Sequence, residues 1–423
     1  MLVPLISFAQ SGTNSPYSQY GLGILSEQST GFNRGMNGVA MGMHQSNQLN
    51  YQNPASYAFI DSLTFIFDVG ASLQVTNFQE GSRKINAQNA NFDYATMAFR
   101  VAKNLGMSIG IMPYTNIGYS YNDYTAKKIS DTNSTTITTT HSGSGGTRSL
   151  YAGLGWSPLK GLAIGANIGY FWGSYSRSVV NSFSDSYVST ANRYYSAELR
   201  SYDLDLGLQY DIRLGRNDVV TIGGTYKFGH HLGGSCDMKN ISTNTQTGVS
   251  DTTATVLNKA LYIPTTIRGG LAFRHGKSLY IGADYSLQKW GQYDYPNLEY
   301  VSEISSSIYT LTSGTMKDRH KIVVGGEYIP NPVSRNYFNR VHIRAGVGYA
   351  TPYYYINGIE GPKEYSASIG LGLPITAAGG RSILNISGQW VQQNATGLIR
   401  ENTFRINIGI TFNERWFMKW KLE

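Results

Sequence analysis

From Ser62 onward the chain alternates. Between Leu279 and Gln288, Leu279, Ile281, Ala283, Tyr285 and Leu287 share one parity; Tyr280, Gly282, Asp284, Ser286 and Gln288 share the other. A period of two describes a strand with one apolar and one polar face. The pattern recurs at Leu162–Gly173 and at Phe404–Phe412, where Phe404, Ile406, Ile408, Ile410 and Phe412 oppose Arg405, Asn407, Gly409 and Thr411. Such segments cover 62–78, 90–103, 105–123, 147–157, 161–178, 196–213, 218–232, 265–275 and 277–292. They continue through 317–329, 338–356, 362–374, 381–393 and 401–412. That makes fourteen, an even number, as bacterial single-chain transmembrane barrels require. Nowhere is there the apolar run of about 18 residues that a membrane-crossing helix needs. Alternation alone also suits a soluble sandwich.

The connections separate the two. Lys103-Asn104, Pro158-Leu159-Lys160, 214–217 and Gly276 are short, whereas 124–146, 179–195, 233–264 and 293–316 are long and rich in Ser, Thr, Asn and Asp. Short turns at one end and long loops at the other mark an outer-membrane barrel, with the turns periplasmic. The main exception is "PNPVSRNYF" between the tenth and eleventh segments. Only 14% of residues are charged, against about 25% in soluble proteins. Tyr and Trp gather near segment ends, at Tyr349, Tyr353, Tyr354 and Tyr355 and at Tyr170, Trp172 and Tyr175. Interfacial girdles of a barrel are expected to look this way.

Charged residues fall on the polar parity. Asp203, Asp205 and Asp211 lie on the sixth segment, Arg268 and Arg274 on the eighth, and Arg340, His342 and Arg344 on the eleventh. Facing lipid, each would cost about 2–4 kcal/mol near the midplane, so they are assigned to the lumen, as a structural ion network or a selective lining. The net charge of +8 is dispersed and forms no basic stripe, which argues against nucleic acid. His230 and His231 point to opposite faces of a strand and make no metal site. "GLGILS" and "GMNGVAMG" lack the strand and lysine of a phosphate loop, and no nucleophile elbow appears. No cofactor, metal or enzyme activity is expected. Cys236 is the single cysteine, so no internal disulfide is possible.

Residues 10–61 do not alternate. They are too few and too Gly-rich for a core of their own, yet not polar enough for a disordered tail. Their economical place is inside the barrel, burying Leu22, Ile24, Val39 and Met41 as a hatch. The hatch closes at Asn53, Pro54 and Ala55, where Asn caps a helical turn and Pro fits its first position. Before it, residues 1–9 read as a remnant export signal ending near Ala9. After the barrel, 62–412, residues 413–423 form a periplasmic tail or prolong the last strand. Pro113 lies inside the third segment, where it cannot donate a ladder hydrogen bond, so the wall there must bulge or gap.

The run "GMNGVAMGMHQSNQLNYQNPASYAFID", the strand start behind it and the fourteen segments that follow resemble the FadL family of outer-membrane channels for hydrophobic compounds. The strand idiom "GLAIGANIGYFWGSY" is similar too, and the whole has the look of a Bacteroidetes outer-membrane protein. The resemblance implies an all-β, 14-stranded antiparallel transmembrane barrel with a lumenal hatch, and a lateral opening at the third strand. It also implies passive uptake of fatty-acid-like or aromatic molecules across the cell outer membrane, with both termini periplasmic. The alternative is a non-transporting barrel that serves as a subunit or scaffold of an outer-membrane assembly or secretion complex. The expected partners are outer-membrane lipid, a hydrophobic small-molecule ligand and partner proteins of such a complex. Apolar lumen pockets beside the hatch would favour transport; paired charges would favour the scaffold.

Overall fold

A computed structural model describes residues 12–128, 134–185, 188–301, 306–375 and 382–414. The expected export remnant at 1–9 and the tail beyond Glu414 lie outside these residues. The wall consists of β1 (Phe65–Glu80), β2 (Arg83–Ala102), β3 (Leu105–Lys128), β4 (Ser134–Leu159), β5 (Leu162–Phe183), β6 (Thr190–Arg213) and β7 (Asp218–Lys227). It continues with β8 (Thr266–His275), β9 (Leu279–Gln288), β10 (Arg319–Tyr328), β11 (His342–Ala350), β12 (Lys363–Ile375), β13 (Ser382–Asn394) and β14 (Arg400–Glu414). Each strand pairs antiparallel with the next, and β14 returns to β1 from Phe65↔Glu414 to Gln79↔Arg400. The fourteen-stranded transmembrane barrel is closed. Closure removes the sheet edges that would otherwise invite pairing with other chains.

Alternation sets which face meets lipid. On β1, Leu73 is 58% exposed while Asp68 between the same turns is fully buried; on β14, Ile406 is 55% exposed and Thr411 buried. The apolar parity therefore forms the outer belt, and the polar parity points inward, as the barrel assignment requires.

Three local expectations are corrected. Much of the long loops is strand: β3 and β4 run past residue 123 and before 147, and 233–264 is largely a hairpin, Gly233–Thr243 with Ser250–Asn258. Serine and threonine rungs hold these extensions, such as Ser142 to Ser178 at 2.7 Å, where hydrophobic alternation has faded. Next, Tyr175, Tyr353 and Tyr354 are not girdle residues but are buried. Tyr175 on the tall β5 and Tyr353 and Tyr354 in the connection after β11 turn their rings inward and pack with Leu22 and Trp290 over the lumen instead of lying on lipid. Finally, Arg340 is not on a strand. It sits in the 3-10 turn Phe338–Arg340 before β11, with its guanidinium 5.8 Å from the Tyr337 ring centre.

Candidate functional site

Residues 12–61 traverse the lumen. Ser15 caps the 3-10 turn Pro16–Gln19 near the long-loop end, where Tyr17 OH donates to the Ile399 carbonyl. From there the chain descends through the four-residue helix Gly31–Arg34 to a second 3-10 turn, Pro54–Phe59, at the short-turn end. Asn53 caps that second turn: its Oδ1 accepts from Ala55 N at 3.1 Å, and its Nδ2 donates to Met41 O and Leu208 O. Pro54 and Ala55 are buried against the wall. Two close approaches fix the hatch. A Cβ at Gly165 of β5 would fall on the Pro54 carbonyl, and one at Gly223 of β7 on the Met41 carbonyl. Backbone meets backbone only because these wall positions carry no side chain.

Lumen side chains supply the hydrogen bonds that the irregular hatch backbone lacks. The Asp284 carboxylate accepts from Ala40 N (2.6 Å) and Met41 N (3.0 Å). Tyr94 OH accepts from Gly31 N at 2.7 Å, Tyr280 OH from His44 N at 2.9 Å, and Gln209 donates to Met41 O at 2.8 Å. A buried backbone group left unpaired would be costly, so the hatch is fastened all round the wall.

The proposed lumen charges separate into distinct clusters. Asp203 and Asp205 face Lys227, at 2.7 and 3.6 Å, not the arginines of β8. His342 and Arg344 both meet Glu327 of β10, at 2.9 and 2.7 Å, and Arg344 continues to Asn385 and to Gln48 of the hatch. Asp211 accepts from Thr221 at 2.7 Å and lies 3.6 Å from His44. Arg268 lines a 90 Å³ cavity, and Arg274 lies over the Tyr280 ring at 6.0 Å. Lys227 and Glu327 were not singled out from sequence, although the same period-two rule places both inward. A third cluster, Arg34 to Asp93 at 2.6 Å, joins hatch to wall and had no sequence signal.

Between hatch and aromatic cap lies a cavity of 130 Å³ lined by Glu27, Arg34, Asp93, Lys321, Glu401 and Arg405. Burial alone would raise Glu27, yet Lys321, Arg34 and Arg405 hold its carboxyl below the usual range. Above it, Tyr17, Leu22, Phe171, Tyr175, Trp290 and Tyr353 pack as one apolar cap. His44 is different. Burial, helped by Arg274 and opposed by Asp211, lowers it to about 4, so its contact with Asp211 joins a neutral imidazole to a carboxylate. A histidine whose folded value lies below its ordinary 6.5 contributes stability that is complete above pH 6.5 and lost as pH falls towards 4. Urea unfolding should therefore show a decline in stability as pH falls through that window. His44→Asn should flatten this decline.

The wall departs from regularity at Pro113. Pairing between β2 and β3 runs from Ala102↔Leu105 to Ala95↔Ile111 and stops there. Tyr114 is an extra residue opposite β4, and Asp93 an extra residue opposite β1, so both flanking strands bulge where the ladder ends. After its bulge β3 turns Ile117 and Tyr119 inward, which breaks the alternation expected through this segment. The gap is filled by the chain itself. Ile24 and Leu25 pair with Asn116 and Thr115 as an added strand. Nearby, Gln74 donates to Gly12 O at 3.3 Å, Asn14 donates to Asn89 at 3.3 Å, and Gly12 abuts Asn91 and Asn116.

Comparison with known proteins adds a family to this geometry. A family model described as BamG matches residues 1–423. The chain belongs to the BamG family. No curated protein matches it. Among solved structures, this BamG-family barrel is similar to the toluene transporter TodX of Pseudomonas putida, with a TM-score of 0.63, 14% identity, and 94% and 100% of the two chains covered. The toluene transporter TbuX of Ralstonia pickettii follows at 0.59 and 13%, covering 92% and 98%. A FadL homologue of Pseudomonas aeruginosa gives 0.58 and 12%, covering 93% and 99%. At these identities the likeness shows the fold, which is the one the FadL resemblance implied. The BamG family carries a different label from that resemblance.

Proposed function

We propose that this outer-membrane barrel does not transport, and serves as a subunit or scaffold of an outer-membrane assembly or secretion complex. The observation that carries this reading is the filled lumen. The aromatic cap over the loop end holds a 270 Å³ cavity lined by Tyr119, Tyr175, Tyr195, Tyr295 and Tyr309, but the hatch is fastened to the wall and the 130 and 90 Å³ cavities beneath the cap carry Glu27, Arg34, Lys321, Arg405 and Arg268. Moving a hydrophobic molecule through them would forgo the gain from leaving water. The Gly12–Asn14 segment also lies in the wall gap where a lateral exit would open. A channel for hydrophobic compounds is the second reading, favoured by the interrupted ladder at Pro113. Fold alone decides nothing, since one fold hosts many functions.

Extraction in mild detergent tests the two readings together. A scaffold should migrate well above the mass of one barrel, with a partner at constant ratio, while cells lacking it take up labelled toluene at the wild-type rate. A monodisperse single barrel, with saturable uptake that disappears when the chain is deleted, would overturn the scaffold and favour the channel.

A further inference from the structure

Arg177 of β5 turns into the aromatic cap, where the described chain supplies it with no counter-charge. One terminal nitrogen donates to the Gly21 carbonyl of the hatch at 2.8 Å and the other to Tyr295 OH at 3.2 Å. Its Nε is buried without a partner, and its guanidinium lies 4.4 Å from the ring centre of Tyr175. Both partners are neutral oxygens, and no carboxylate forms an ion pair with it among the described residues. Lys227, Arg344 and Arg34, deeper in the lumen, each meet a carboxylate at 2.6–2.7 Å. A mostly enclosed cation that lacks such a partner calls for an anion from outside the chain.

The same arginine borders the 270 Å³ cavity of the cap. Tyr119 of β3 and Tyr195 of β6 line it from the wall. Opposite them stands the hairpin Tyr295–Val301 with Ser306–Thr312, whose Tyr309 ring lies 5.6 Å from that of Tyr195. The hydroxyls of Tyr119, Tyr195 and Tyr309 make no hydrogen bond among the described residues, although Tyr119 and Tyr309 are buried. A hydrocarbon here would strip water from these hydroxyls and from the guanidinium without replacing it, and each unmet group weakens binding. A ring with C–H faces and a hydroxylated edge suits tyrosines, which offer an apolar face and a polar tip. A carboxylate on that ring suits the planar fork of an arginine. We propose that this cavity binds a hexuronate, as a free sugar or as the end residue of an acidic glycan. Arg177 takes the carboxylate through the free N–H groups of its terminal nitrogens. Tyr195 and Tyr309 pack on the ring, and the phenol hydroxyls meet those of the sugar. Nothing in this site depends on whether the barrel is a scaffold or a channel.

The test uses the whole barrel in lipid nanodiscs without sugar-headed detergent, and reads dissociation constants from ligand-observed NMR titrations. Galacturonate should bind at least tenfold more tightly than galactose, its neutral counterpart, and more tightly than benzoate. Tetragalacturonate run in parallel identifies the source: tighter binding than the single sugar marks a glycan end, and equal binding a free hexuronate. Arg177→Gln should erase the preference for galacturonate over galactose, whereas Tyr195→Phe should weaken both sugars and leave the preference intact. Heat-modifiable migration checks that each variant has formed a barrel, and the wild-type comparisons need no variant. Equal binding of galacturonate and galactose would overturn the proposal, as would a preference that survives Arg177→Gln. Benzoate binding more tightly than galacturonate would also overturn it, since the cavity would then serve an apolar anion.

Discussion

Gly223→Val should turn a silent barrel into a conducting one. The added side chain would fall on the Met41 carbonyl, where hatch backbone touches wall backbone. Overpacking of this kind costs about 1–3 kcal/mol when neighbours adjust, and more when backbone must move. Around Gly223 the wall is held by unbroken ladders from β7 to β6 and β8, whereas Met41 sits in an irregular segment held by scattered hydrogen bonds. The hatch should therefore yield first. In planar bilayers the wild type should show no steps of ion conductance, and the variant should show frequent ones. Its unboiled form should still migrate differently from the boiled form. Gly388→Val is the control: Gly388 is on the exposed face of β13 with open space around it, and that variant should stay silent. A Gly223→Val barrel as silent as wild type would show that this contact does not hold the seal.

Lys227→Met should be the most destabilising single charge removal. The ammonium is almost wholly buried, meets Asp203 at 2.7 Å and Asp205 at 3.6 Å, and lies 5.2 Å from the ring centre of Tyr114 in the β3 bulge. Removing one partner of a buried pair leaves uncompensated charge and costs about 3–5 kcal/mol. Here two carboxylates would be stranded together. Replacing all three, with Asp203→Asn and Asp205→Asn added, should recover most of that loss, because a neutral, well-packed set is often no worse than the ions. Urea titration of the folded barrel in vesicles reads both. If the triple variant unfolds as readily as the single one, Lys227 acts through packing rather than charge.

Much of the wall was legible in the sequence because lipid on one side and a packed lumen on the other impose a strict period of two. The same rule would have identified Lys227 and Glu327, which share parity with the inward Thr225 and Val323. The pairing of the lumen charges was less accessible. Asp203 and Arg268 have opposite signs and both belong to the inward set, but parity says nothing about which strand's side chain reaches across. The loop-end extensions were read as irregular because their Ser and Thr rungs lack hydrophobic contrast. Pro113 marked the interruption in the ladder, yet nothing in the alternation shows that Asp93 bulges opposite it. Nor does it show that Ile24 and Leu25 return to cover the edge. Contacts between an irregular segment and a distant wall follow from shape, and shape leaves no periodic trace.

Hydrogen exchange across the hatch tests most directly whether the lumen is permanently filled. Ala40 and Met41 donate to Asp284, Gly31 donates to Tyr94, and His44 donates to Tyr280, so all four amides are held by the wall. Opening of a fastened plug requires breaking these bonds together, and slow exchange follows from a costly opening. In the native barrel, peptides covering 30–60 should remain protected for hours, as long as those of β9. Exchange of those peptides within seconds, while β9 stays protected, would mean that the hatch opens independently of the wall, and would contradict a permanently filled, non-transporting barrel.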